Sequence, residues 1–440
     1  MEKLFDLSKR GTTVKTEVIA GITTFLTMAY IIVVNPGILS ATGMPFSGVL
    51  FATILVCAFS SIAMGLYTNL PFAVAPGMGI NAFFAFSLVK GMGVSWQTAL
   101  GAVFVSGIIF IILSVTKVRI TIVKAIPASL RYSVAAGIGI FLALIGLSSV
   151  GFIVADPATI VAFGGINVST VLFVVGLILT AFLVIKKIRG ALLIGIVATS
   201  VITLIVSLIG TATGALAAPL VNMPKGVLAL PSVEVFFKLD IAGALTLGMI
   251  GPIFALLFTD MFDSISTFLG VAQVAGLVDK DGQPVNVGKA LLVDAAATTI
   301  SGLFGTSSGT TYIESAAGVE EGGRTGLTAV VTGLLFIPFM FLSPLLAFVP
   351  SVATAPVLVL VGVFMTFPLT LLDWKNFEEA VPAFVAIILI PLTYSITQGI
   401  IWGFLTYTLV KLLLGKGREI HWMLYIVDLF AILSLVLPLL

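Results

Sequence analysis

Residues 71–86 read PFAVAPGMGINAFFAF and residues 305–318 read GTSSGTTYIESAAG, and these two interrupted stretches decide the fold. Each sits in a chain otherwise made of long apolar runs. Phe72 to Val74 and Thr310 to Ile313 favour extended backbone, while Gly79 onward and SAAG favour the start of a helix. Inside a bilayer, backbone that is not helical is tolerated only where it is buried in protein or lines a cavity. Two such breaks at matching places in the two halves of a chain are the mark of a transporter built from an inverted repeat.

The surrounding composition requires a membrane. Of 440 residues, 59% are hydrophobic and 9% charged, against roughly a quarter charged in a soluble domain. A lipid bilayer is therefore the expected partner. The net charge of +2 with no long basic run excludes a nucleic-acid footprint. Cys57, the single cysteine, has no intrachain disulfide partner and reads as packing. The charged residues 2–17, followed by a 20-residue apolar stretch, read as a retained first span.

Apolar runs bounded by breakers predict helices near residues 17–39, 47–68, 97–116, 131–153, 167–186 and 190–210, with a short seventh from Gly79. In the second half they fall near 240–272, 288–304, 325–345, 351–371, 380–395 and 396–415, with a broken segment at 305–320. The expected fold is an all-α multi-pass membrane protein of fourteen segments, arranged as seven plus seven with opposite orientation and short strands in segments 3 and 10. Asn81 and Glu314 are 314 − 81 = 233 positions apart, and Thr24 and Asp260 are 260 − 24 = 236 apart, so the halves run at nearly constant offset. With the N-terminus cytoplasmic, Lys90, Lys225 and Lys238 fall outside and 21 − 3 = 18 basic residues fall inside, as the positive-inside rule requires. The tail from His421 to Leu440 reads as a further helix lying in the interface, with Trp422 and Tyr425 at headgroup level.

An ionisable group within a span costs about 2.5–3.5 kcal/mol on the lenient insertion scale, so each one needs a reason. Asp279, Asp281, Asp373, Glu378 and Glu379 read as solvated loop residues, and Glu320 and Glu321 as the cytoplasmic mouth after segment 10. Asp260 and Asp263 lie inside LLFTDMFDSISTFLG, and their i, i+3 spacing predicts that they share one helix face with Ser264 and Thr267. Glu314 begins a half-helix whose free amides suit a polar ligand atom. Asn81 offers an amide in the first-half break, beside Gly79. Carboxylates and an amide for the edge of a ring, with apolar walls for its plane, suit a heteroaromatic base. Thr24, Phe25 and Ser264 belong to the same expected substrate set, with Tyr312, Ile313 and Ala316 supplying backbone contacts. Clustered acids in a poorly solvated site imply that one of Asp260, Asp263 and Glu314 carries the coupling proton, with Asp263 the first choice. No cofactor and no metal are expected.

Four stretches, GITTFLTMAYIIVVNPGIL (21–39), PGMGINAFFAF (76–86), LFTDMFDSISTFLG (257–270) and TSSGTTYIESAAGVEEGGRTGL (306–327), closely resemble the nucleobase/ascorbate permease superfamily and its adenine/guanine/hypoxanthine branch. The resemblance implies a core domain (residues 1–125 and 236–348, spans 1–4 and 8–11) and a gate domain (126–235 and 349–440, spans 5–7 and 12–14). It further implies proton symport of a purine nucleobase by an elevator-like motion of core against gate, and a homodimer through the gate domain. By the same resemblance Asp260 and Glu314 are the acidic substrate positions, Asp263 a further acid of span 8, and Asn81 with Gly79 the sensitive part of span 3.

The xanthine/uracil branches commonly carry a Gln-His pair in span 1 and a His in span 8, where this chain has Thr23, Thr24 and Phe25, and Ser264. An intramembrane enzyme finds no HExxH pair, and His421 is remote from the serine-rich loop. A channel would be expected to repeat a charged ring about an axis, and the acids here are isolated.

Overall fold

The computed structural model describes residues 2–116, 125–221, 223, 226–278 and 285–436. Lys225, Asp279 and Asp281, placed in loops above, lie outside the described residues. Among the described residues ten helices are long and apolar enough to cross a membrane, and the elements between them include short helices and four short strands.

In chain order the helices are α1 (Val14–Met28), α2 (Ile31–Ser40), α3 (Phe46–Thr68), α4 (Met78–Ala82, continuing as a π-helix over Phe83–Gly91), α5 (Trp96–Val115), α6 (Ala128–Ser149), α7 (Val168–Ile185) and α8 (Ala191–Ala212). The second half holds α9 (Ile250–Ala275), α10 (Val287–Phe304), α11 (Ser315–Glu320), α12 (Gly326–Phe336), α13 (Ser351–Thr366), α14 (Phe377–Leu392), α15 (Ile396–Leu413) and α16 (Trp422–Val436). Caps define several starts: Ser95 accepts from Thr98 N at the head of α5, and Asn167 and Thr170 form a capping box on α7.

Both interrupted stretches contain a strand. β1 (Val74–Pro76) pairs antiparallel with β4 (Gly309–Thr311), in the register Ala75 opposite Thr310. The ladder continues on either side, with Gly77 N donating to Ser308 O at 2.9 Å and Tyr312 N to Ala73 O at 3.0 Å. These two bonds exchange under one offset, 308 − 73 = 312 − 77 = 235. All six strand residues are buried, so the pairing satisfies backbone groups that neither water nor a helix serves.

Helix packing exchanges between the halves in the same way. α3 packs on α12 as α10 packs on α5; α7 packs on α13 as α14 packs on α6; α7 with α8 matches α14 with α15. α6 and α13 cross at Gly139 and Gly362, where a Cβ on either would lie 2.6 or 2.4 Å from the other's carbonyl oxygen. Only hydrogen side chains allow that approach.

Several details depart from the sequence reading. The span expected over 131–153 ends at Ser149, because Gly151 turns the chain at φ +71°. The chain then forms an unanticipated hairpin, β2 (Ile153–Asp156) with β3 (Ile160–Phe163), whose turn is held by Asp156 accepting from Ala158 N and Thr159 N. The eighth span, expected from 240, is a separate turn at Ile241–Ala244 capped by Asp240, and the long helix starts only at Ile250. α16 presents Met423, Leu424, Val427, Asp428 and Ala431 to the protein, packing on α15 and α9, and Asp428 accepts from Thr408 at 2.5 Å.

Glu17 ties α1 to α12. It is fully buried, and its carboxylate accepts from Arg324 N (2.8 Å), Thr328 N (3.2 Å) and Thr328 Oγ1 (2.6 Å), while Asn69 Oδ1 takes Gly326 N at 2.8 Å. A carboxylate here serves the free amides and the positive end of α12. Glu17→Ala is expected to destabilise the protein by about 1–3 kcal/mol, the cost of orphaning buried donors. A thermal melt of the purified variant in detergent checks this, and an unchanged midpoint would contradict the capping role.

Candidate functional site

The breaks, α9 and α13 enclose a cavity of about 70 Å³. Its polar lining is Asp263 and Thr267 of α9, Glu314 and Tyr312 of the second break, Thr311 of β4 and Tyr30 between α1 and α2. Met78, Gly79, Ile313, Val361 and Met365 complete it. Val361 belongs to α13 and Met365 lies one turn on, so the wall they form comes from a different helical group than the breaks do. The volume is below the roughly 300–1,000 Å³ of typical ligand pockets.

Two carboxyl groups enter this cavity. Glu314 sits where β4 gives way to α11, and its Oε1 accepts from the Tyr30 hydroxyl at 2.7 Å. Asp263 faces it from α9 and is given no hydrogen bond by any described residue. Tyr312 is anchored by its own hydroxyl, which donates to Pro76 O at 2.5 Å and so clamps the two breaks together. Gly79 admits Ile138 of α6, since a Cβ there would lie 2.5 Å from Ile138 Cγ2.

Asp260, expected at the substrate edge, is not part of the cavity lining. Its side chain is 1% exposed, and Oδ2 accepts from Thr298 Oγ1 of α10 at 2.5 Å. Ser264 is likewise fully buried, bonded to Asp294 of α10 and, at 2.7 Å, to Thr310 Oγ1. Helical geometry gives the reason. At 3.6 residues per turn, Asp260 pairs with Ser264 along one line of α9 and Asp263 with Thr267 along another. The first line faces α10 and β4; the second faces the cavity.

The remaining expected residues lie around the cavity rather than in its lining. Asn81 is buried, accepts from Ser307 and points its amide nitrogen at Met78 Sδ (3.8 Å), bracing the two breaks against each other. Thr24 is buried against Gly318, where a Cβ would lie 2.1 Å from Thr24 Oγ1. Phe25 packs edge-on to Phe336 (centroids 5.0 Å apart) and against Phe339 (5.5 Å), on the α12 side of α1. Ala316 packs on the core from α11. Tyr30 and Asp294 were missed from sequence. Tyr30 could have been found in MAYIIV as a phenol in an apolar span, and Asp294 as an acid midway through one.

Residues 15–401 match the family model described as Permease family. The chain belongs to this family. It is 44% identical over 437 residues to the adenine permease AdeP of Escherichia coli K12, covering 99% of this chain and 96% of that protein. It is 41% identical over 423 residues to the guanine/hypoxanthine permease PbuO of Bacillus subtilis 168, covering 95% and 96%. These relatives put it in the adenine/guanine/hypoxanthine branch. The fold matches the transmembrane domain of a cyanobacterium bicarbonate transporter, BicA, with TM-score 0.64 at 19% identity, over 88% of this chain and 97% of that one. The protein is a multi-pass membrane permease and not an enzyme.

The two faces of α9 can be told apart chemically. In a protein whose buried Cys57 is replaced by Ala, Thr267→Cys is expected to react with a small polar thiol reagent at least about tenfold faster than Ser264→Cys, since access controls thiol reactivity. Mass spectrometry of the labelled protein reads both rates; equal rates would contradict the assignment of the faces.

Proposed function

We propose that this permease imports purine nucleobases, namely adenine, guanine or hypoxanthine, by proton symport. The observation that carries the reading is the convergence of Asp263 and Glu314 on one small cavity with an otherwise largely apolar and aromatic lining. A purine presents N–H groups along its edge and two flat faces. Two carboxyl oxygens serve the edge, and Met78, Tyr312, Val361 and Met365 serve the faces. The names of the relatives, adenine permease and guanine/hypoxanthine permease, support the same cargo.

In this reading the backbone around Tyr312 and Ile313 supplies further polar contacts, as does the head of α11. Asn81, Thr24, Phe25, Gly79 and Ala316 shape and brace the site. Asp260 and Ser264 act from behind β4. The exchange of packing partners between the halves, and the strand bonds related by an offset of 235, support fourteen segments in a seven-plus-seven inverted repeat. The core comprises residues 1–125 and 236–348, the gate 126–235 and 349–440, with the N-terminus cytoplasmic. Substrate held at their boundary is carried when the core moves against the gate. A proton bound with the purine lowers the charge that the core must carry past the gate.

Purified protein in vesicles is expected to accumulate labelled adenine, guanine or hypoxanthine under an inward proton gradient and to lose the accumulation with a protonophore. Accumulation that follows a sodium gradient instead would contradict symport with protons. Glu314→Gln and Asp263→Asn are each expected to weaken purine binding tenfold or more, since a hydrogen bond to a charged group contributes on the order of 1.5–3 kcal/mol. Calorimetric titration that finds wild-type affinity in either variant would remove that residue from the substrate edge.

A further inference from the structure

α9 and α10 are cross-bonded by four side chains. Asp260 and Ser264 are one turn apart on α9, and Asp294 and Thr298 one turn apart on α10. Each carboxyl is hydrogen-bonded to the hydroxyl of the other helix: Asp260 Oδ2 to Thr298 Oγ1 at 2.5 Å, and Asp294 Oδ2 to Ser264 Oγ. β4 closes the group, because Thr311 Oγ1 donates to Asp294 Oδ1 at 2.9 Å, Thr310 Oγ1 lies 2.7 Å from Ser264 Oγ, and Gly309 O lies 3.0 Å from Thr298 Oγ1. All these side chains are buried.

The hydrogens of this group can be counted. Each hydroxyl has one to give. Thr311 gives its hydrogen to Asp294 Oδ1 and Ser264 to Asp294 Oδ2; Thr310 also borders Asp260, but its one hydrogen goes to Ser264, because no other is left for that 2.7 Å contact. Both oxygens of Asp294 are then served, and it can stand as a carboxylate. Thr298 has one hydrogen but two acceptors, Asp260 Oδ2 and Gly309 O. Gly309 O has no alternative partner on β1. The bonds at Gly77 with Ser308 and Tyr312 with Ala73 place Gly309 in the alternate, non-bonded position of the ladder, so its carbonyl faces away from β1. In addition, Asp260 Oδ1 is buried without a hydrogen-bond partner, which a full carboxylate would tolerate poorly. One further hydrogen, on Asp260 Oδ2, satisfies every contact: Asp260 donates to Thr298, and Thr298 donates to Gly309 O.

We propose that Asp260 and Asp294 form a proton-binding pair behind the cavity, with the proton on Asp260, Asp294 ionised, and Thr298 relaying the state of Asp260 to β4. Asp294 is a positioning residue: its negative charge retains the proton on Asp260. When the proton leaves, the Thr298 hydrogen must turn to Asp260, and Gly309 O loses its donor. Gly309 directly precedes Thr310 and Thr311, the latter in the cavity wall, so proton release loosens the strand on which the substrate site is built. That this proton is the one transported rests on the symport reading above. The other charged side chains on these elements are Asp263, one turn from Asp260 on the cavity side of α9, and Lys289, more than one turn before Asp294 on α10; β4 carries none.

Infrared spectroscopy of the purified protein, without substrate, tests the pair independently of what is carried. The C=O stretch of a protonated carboxyl is expected at neutral pH in the wild type and is lost in Asp260→Asn. In Thr298→Val the band shifts, because the acceptor of its hydrogen bond is gone. In Asp294→Asn it disappears at a proton concentration about tenfold or more higher than in the wild type, since removing a neighbouring like charge favours ionisation. A merely structural Asp294 would leave that pH unchanged. A wild-type spectrum whose protonated-carboxyl band is unaltered by Asp260→Asn overturns the proposal, as does a band whose pH dependence is the same in Asp294→Asn and the wild type. If Asp294→Asn is not recovered folded, Ser264→Ala replaces it: the loss of one donor to Asp294 strengthens that charge and moves the transition the opposite way, and an unmoved transition counts against the pair. Failure of the purine reading shows separately, as wild-type vesicles that take up no purine.

Discussion

The structure depends on one constraint: peptide groups that leave a helix within the hydrocarbon must find partners inside the protein. The chain meets it by pairing its two breaks with each other. β1 and β4 exchange their backbone bonds, Tyr312 clamps the pair through Pro76 O, and Asn81 holds Ser307. Because each strand comes from a different half of the chain, neither half can complete this element alone. The helices around the pair exchange contacts in the same manner, so the strand pair sits where the two halves meet.

A site follows from that arrangement at little further cost. Half-helices start just beyond the strands, and Gly79, the second residue of α4, and Glu314, the N-cap of α11, face a common space. α9 passes beside it and offers two polar lines. Asp263 and Thr267 face the cavity; Asp260 and Ser264 face α10 and β4. One helix thus lines the cavity with one face and joins a buried hydroxyl and carboxyl group with the other, and β4 lies between the two. The opposite wall, formed by Val361 and Met365, carries no charge.

Much of this is legible in the sequence because bilayer constraints are severe. Long apolar runs set the helices, and the Gly- and Pro-rich interruptions at 71–86 and 305–318 mark both the strands and the site. Glu314 and Asp263 stand out as acids within spans. What the sequence leaves open is direction: three residues apart on a helix is close in space, yet enough to put Asp260 and Asp263 on different neighbours, and only the position of α10 decides which is which. Asp294 is hidden for a similar reason. In VGKALLVDAAATTISGLF it is a lone acid, and its partner Ser264 is 30 residues away on another helix. The hairpin at 153–163 was missed because Ile, Val and Phe in a short run suit the end of a helix as well as a strand, and Gly151 decides between them. The likeness to BicA at 19% identity fits this division, since it extends to the fold and says nothing of the acids.

The central claim is that the cargo sits between α9 and α13, against the second break. The alkylation rate of Thr267→Cys, measured with and without purine in the Cys57→Ala background, tests it most directly. The account predicts that adenine, guanine or hypoxanthine slows the reaction in proportion to its occupancy of the protein, while uracil at the same concentration leaves it unchanged. A purine that the protein accumulates but that leaves the rate of Thr267→Cys untouched would contradict the account.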